Sequence, residues 1–324
     1  YNNSTGSTNI AIGNSALYTN TTGGTNIAIG VNALSANSTG SNNNAIGTGA
    51  LGATTTGNNN NAFGTGAMSS NTIGSENTAV GQGALSGNQT GNWNTALGRS
   101  ALSSYTGYNN TAIGAMAAWK TVGSSVLAIG YSSLYNNISG GELIAIGEQA
   151  LLSNTTGNFN LAIGKSALSA NTTGQNNLGV GNSTLINNTT GNGNVAVGIN
   201  ALNSNSTGGG NTAVGVNSLQ NNTTGTDNTV IGYAAGGSIT TGSYNTILGD
   251  YANASTGATR NTVVGNNASA STYSNSVVIG ASAQATADNQ FVVGSTSYAA
   301  GAITTETITP NRTWTVRING ANYK

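Results

Sequence analysis

A glycine returns with a near-constant step along almost the whole chain, at positions 13, 30, 47, 64, 81, 98, 114, 130, 147, 164, 181, 198, 215, 232, 249, 265, 280 and 294, usually preceded by Ala-Ile or a close relative. The step is 17 residues except for two of 16 after Gly98 and a closing run of 16, 15 and 14. Seventeen residues are too few for a strand, a full helix and two loops. Each period is therefore one short supersecondary unit that buries its apolar residues only by stacking on its neighbours. The spacing predicts a repeat domain over 1–294, with 295–324 a C-terminal β-hairpin cap or the start of a next domain.

Positions are numbered from the repeat glycine as zero. A typical unit reads Asn26, Ile27, Ala28, Ile29, Gly30, then Ala33, Leu34, Asn37, Ser38, Thr39 and Gly40. β-branched residues bounded by Gly and Asn indicate short strands and tight turns. The expected class is all-β, a parallel β-solenoid of about eighteen units, with two short strands per unit. Alternation places −3 and −1 on one face and −2 on the other. The bulky −3 and −1 residues, with Leu at +4, are expected to fill the interior. The alanines at −2, namely Ala28, Ala45, Ala62, Ala79, Ala96, Ala112, Ala145 and Ala162, are then expected outside, as a flat face through which copies of the chain associate. Gly at zero and at +10 is expected to turn the corners with positive φ. Asn at −4 and +7 is expected to bond turn backbone and to stack from unit to unit. At about 4.8 Å per layer, eighteen units make a rod of about 85 Å.

The tail carries the single proline, Pro310, between alternating segments that include Thr305, Thr307 and Thr309 before it and Trp314, Val316 and Ile318 after it. A hairpin turning at Pro310-Asn311 is expected to cap the roll, with a further turn at Asn319-Gly320.

Asn275-Ser276-Val277-Val278-Ile279-Gly280-Ala281-Ser282-Ala283, and Asp288-Asn289-Gln290-Phe291-Val292-Val293-Gly294 after it, resemble the head repeat of YadA-type trimeric autotransporter adhesins. The longer unit Asn-Thr-Ala-Ile-Gly-x-x-Ala-Leu-x-x-Asn-Thr-Thr-Gly is similar to repeats of phage tail-fibre and bacterial surface-fibre proteins. Together the likenesses cover about Asn9 to Gly294. They imply a left-handed parallel β-roll, a homotrimer, an extracellular place on a virion tail or bacterial surface, and attachment to a host-cell glycan or receptor. Most units here are three residues longer than the adhesin repeat. Neither a coiled-coil stalk, a membrane β-barrel nor a self-cleaving chaperone domain is visible in the sequence.

Composition narrows the chemistry. Charged residues are 4% of the chain, seven basic and seven acidic. That leaves no basic footprint for nucleic acid or an anionic membrane. No apolar run reaches the length of a membrane helix. With no His and no Cys, the usual general base, the thiol nucleophile and the commonest metal ligands are missing. Glu148 and Asp250 share position +1 but stand six units apart, about 29 Å at the layer spacing, too far for a carboxylate pair. Glu142 and Glu148 read as a solvated pair. The expectation is therefore no enzyme, no cofactor and no metal; calcium-binding rolls need an Asp in each turn, where this chain has Asn and Thr. The chain opens at Tyr1 inside a unit, so a missing leader carries no information.

Two further features remain. Trp93, Tyr105, Tyr108, Trp119, Tyr131 and Tyr135 cluster in the segment that holds the two 16-residue steps. Trp119 and Tyr135 both fall at +5, with Lys120 and Tyr131 close in sequence. This is a candidate glycan patch, against a repacking that compensates for the shortened loops. Asn-x-Ser/Thr sequons recur at Asn20, Asn37, Asn154, Asn171, Asn188 and Asn205 and read as turn chemistry. A second function class is a secreted monomeric solenoid that binds ice or polysaccharide. The adjacent threonines at +8 and +9 speak against ice, because neighbours on an extended chain point opposite ways.

Overall fold

The computed structural model describes residues 3–104, 107–295, 316–318 and 321–323. Eighteen strands of three or four residues, from Ile10–Ile12 to Phe291–Val293, form a single parallel sheet, and no helix occurs among the described residues. Each strand pairs with the next at the same repeat position, for example Ile10 with Ile27, Ala11 with Ala28 and Ile12 with Ile29. The fold is a β-solenoid of one strand per turn. Seventeen steps of about 4.8 Å give a rod about 80 Å long.

The expected second strand is instead a run of turns. At +2 and +4 the backbone is left-handed, with φ of 56° at Asn32 and 48° at Leu34. The layer-to-layer ladder nevertheless continues through this arm: Leu34 N–H donates to Ala50 O at 3.0 Å and Ala36 N–H to Gly52 O at 3.2 Å. Bonding to the layer above replaces the pairing that a second regular strand would have supplied.

The sheet faces the opposite way from the expectation. Ala28, Ala45, Ala62, Ala79, Ala96, Ala112, Ala145 and Ala162 are all fully buried, and the −3 and −1 residues face out. The alanines are therefore the inner lining of the roll and not its association face. The reason is thickness. Leu at +4 and Ala at +3 already occupy the interior from the turn arm, which leaves room for little more than a methyl group on the facing strand.

The last layers show the same constraint in reverse. Where −2 becomes Val230, Ile247, Val263 or Val278, the +4 leucine is gone and the turn arm offers Ala235 and Gly236, Ala252, Ala268 or Ala283. Interior volume is conserved while its source moves from one arm to the other. Around the shortened loops a third solution appears. Ala118 stands at +4, and Val126 and Leu143 take the −4 positions as buried apolar residues.

Asparagine supplies the polar part of the interior. In the −4 column, Asn60 Nδ2 donates to Gly74 O at 2.8 Å and its Oδ1 accepts from Asn77 N–H at 3.1 Å. In the +7 column, Asn171 Nδ2 donates to Gly174 O at 3.0 Å and to Asn154 Oδ1 at 2.9 Å. The expected ladders are thus present, fully buried. They also explain two unpartnered acceptors. Asn37 Oδ1 and Asn222 Oδ1 lack a donor where the next layer carries Thr54 or Ile239 in place of Asn.

The two glycine columns differ in cause. Gly30 has φ +136°, and a Cβ there would lie 2.6 Å from Gly47 O, so both backbone and space require glycine. Gly140, at +10, has ordinary φ; a Cβ would meet Gly157 O at 2.5 Å. Its requirement is close approach between layers, not a left-handed turn.

In the tail, Val316–Ile318 pairs antiparallel with Ala321–Tyr323, flanking Asn319-Gly320. The Pro310-Asn311 turn lies outside the described residues.

Candidate association and binding surfaces

Two surfaces follow from this fold. The first is the outward face of the sheet. Extended backbone projects −3 and −1 away from the core, and in-register pairing stacks them into two columns along the rod. The −1 column runs through Ile12, Ile46, Phe63, Leu97, Ile113, Ile231, Leu248 and Val293, all exposed, Ile12 to 60%. The −3 column mixes Ile and Leu with threonines: Thr78, Thr95, Thr111, Thr212, Thr229, Thr246 and Thr262. These outward residues were assigned to the interior by pattern alone. The exchange of Ala/Leu for Val/Gly between the two arms is the sequence signal that identifies the true inner face.

The second surface lies on the turn arm at +5. Trp119 and Tyr135 stack, ring centroids 4.9 Å apart at 24°, and Lys120 Nζ sits 5.5 Å from the Trp119 centroid and 5.9 Å from that of Tyr135. Register explains the meeting, since both residues hold the same position in adjacent layers. The two rings cover one another's inner faces, so both are half-buried, while Lys120 is exposed. Tyr131, the fourth residue of the expected patch, is exposed at +1 and makes no recorded ring contact with the other three. Tyr105 lies outside the described residues. A second aromatic pair was not anticipated: Tyr233 and Tyr251 meet edge to face at 5.3 Å, and Tyr233 N–H donates to Asp250 Oδ1 at 2.9 Å. The Tyr251 phenol is raised above its ordinary value by desolvation first, then by Tyr233 and Asp250.

Other candidates resolve simply. Glu148 pairs with Lys165 at 3.2 Å on the surface. Among the described residues no group of three or more His, Cys, Asp or Glu could hold a metal ion. The sequon asparagines Asn20, Asn37, Asn154, Asn171, Asn188 and Asn205 are fully buried in their ladder, so a glycan on any of them would break it. The +8 threonines are occupied too: Thr172 Oγ1 donates to Thr189 O at 3.0 Å. No helix among the described residues is long and apolar enough to cross a membrane. Searches against protein-family models and against curated protein sequences find no match.

Proposed function

We propose that the chain is the shaft or head of an extracellular adhesive fibre, on a phage tail or a bacterial surface, in which three copies pack through their outward sheet faces and the assembly attaches to a cell surface. The carrying observation is the exposed −1 column with its −3 neighbour. As a strip about 80 Å long and about 7 Å between columns it covers roughly 550 Å² before side-chain width is added; its −1 column is apolar in every layer, while the −3 column is part Thr and Asn. Parallel sheets are ordinarily covered on both faces, and closed symmetry covers a flat ribbon on every copy at once. Three copies on one rigid rod then multiply weak surface contacts, such as stacking of sugars on the Trp119, Lys120 and Tyr135 cluster.

A second reading has its own observation. Seven layers present Thr at −3 beside Val, Ile or Leu at −1 on the outward face, a flat lattice with one short and one longer spacing that suits ice or another ordered solid. The mass in solution separates the two. A trimer supports the fibre; a monomer that inhibits ice recrystallisation supports the alternative.

A further inference from the structure

Two separate grooves lie beside the sheet between the −5 and −3 columns. One, of about 420 Å³, lies between Thr8, Thr25 and Asn42 on one wall and Ile10, Ile27 and Asn44 on the other. The second, about 490 Å³, lies between Asn109, Ser125 and Glu142 on one wall and Thr111, Leu127 and Ile144 on the other. Every residue of the −5 column is left-handed, with φ between 55° and 69°, as the +2 column is and the +4 column is through Gly236; Asn and Gly accept this conformation most readily. Eight layers have Asn or Gly there: Asn42, Asn59, Asn109, Asn176, Gly193, Gly210, Asn275 and Asn289.

Against that background three layers carry aromatic rings, and each follows directly on a layer with a carboxylate: Glu76 then Trp93, Glu142 then Phe159, Asp227 then Tyr244. The aromatics are among the most exposed in the chain, Trp93 at 55%, Phe159 at 53% and Tyr244 at 56%. In the first pair Trp93 Nε1–H donates to Glu76 Oε2 at 2.8 Å, which fixes the indole edge and leaves the ring face and the second carboxylate oxygen available. In the third, the Arg260 guanidinium lies 5.7 Å from the Tyr244 ring centroid, one layer further on. None of the three carboxylates forms an ion pair recorded among the described residues. The pairs stand four and five layers apart, about 19 and 24 Å.

Three exposed acid–aromatic steps at one repeat position, in register along the rod, point to a shared ligand. We propose that this −5 column binds an uncharged polysaccharide lengthwise. The rings of Trp93, Phe159 and Tyr244 stack on sugar faces, and the carboxylates of Glu76, Glu142 and Asp227 accept hydrogen bonds from sugar hydroxyls. An anionic polymer is disfavoured by the same carboxylates, and a single sugar cannot bridge pairs so far apart. The inference rests on the attachment reading and names a site for it.

The test is affinity electrophoresis of the full chain through gels containing soluble β-glucan, α-glucan or mannan, with sulfated dextran as the anionic comparison. The variants are W93N/F159N/Y244N, which inserts the residue that other layers use in this slot, and E76Q/E142Q/D227N, which keeps shape and removes charge. The wild type is expected to be retarded by at least one neutral polymer, and either triple variant to lose tenfold or more in apparent affinity. The Asn variant is expected to melt no lower than the wild type, which a packing role for the rings would not allow. Equal binding by the triple variants, preference for sulfated dextran, or no retardation of the wild type by any neutral polymer would overturn the site. The mass of the assembly is measured separately, so loss of this site does not remove the fibre reading.

Discussion

A Cβ on Gly236 would lie 3.1 Å from Cγ1 of Val230, because these two residues share the interior volume that Ala and Leu share in most earlier layers. Gly236 has φ +63° and Leu219, at the same position one layer before, has φ +50°, so the backbone itself admits a side chain. Space is the obstacle. G236A is therefore expected to cost about 1–3 kcal/mol by overpacking, and V230A a similar amount by leaving a void. V230A/G236L restores the common pairing and should recover most of the loss. A double-mutant cycle on urea midpoints measures the coupling.

The inward alanines give a paired prediction. Ala45→Leu forces three extra carbons into a closed interior and should destabilise the chain by about 1–3 kcal/mol. Ile46→Thr, one residue away on the outward face, should change the stability of the separate chain by less than about 0.5 kcal/mol. Chemical denaturation of both variants decides between this orientation and its inverse.

Asn60 holds four contacts: it donates to Gly74 O and Asn43 Oδ1 and accepts from Asn77 N–H and Asn77 Nδ2. N60A leaves buried backbone groups unpaired, at about 1–3 kcal/mol for each one orphaned. The expected outcome is a large fall in the urea midpoint, with faster amide exchange at Asn77 than at layers far along the rod.

Trp119 and Tyr135 make a stacked contact worth about 0.5–1.5 kcal/mol beyond burial. Y135A should lose about that much and shift Trp119 fluorescence. In the attachment reading W119A/Y135A also weakens glycan or cell-surface binding; unchanged binding would leave the cluster with a packing role alone.

Much of this was legible in the sequence. The repeat glycine gave the number of layers and their register, because a residue needed for both φ and close approach cannot drift. The Asn columns were equally readable, since each turn needs an internal donor. The facing of the sheet was not, because alternation separates two faces without saying which is inside. Size misled: Ile27 and Ile29 look like core until Leu34, reaching in from a left-handed turn, is seen to fill it. In the sequence Trp93 stands out only as part of the aromatic cluster near the shortened loops, and Phe159 and Tyr244 not at all, because what links the three is a shared −5 position and not nearness in sequence.

In the proposed fibre the outward ribbon of Ile12, Ile46, Phe63 and their stacked equivalents is covered by other copies of the chain. Sedimentation equilibrium at micromolar concentration tests it most directly. The predicted mass is three times 31.8 kDa, or 95.4 kDa, unchanged in high salt because the interface is apolar, and lowered toward one chain by I46K/F63K/L97K. A wild-type mass of 31.8 kDa, with the ribbon left bare in solution, would contradict it.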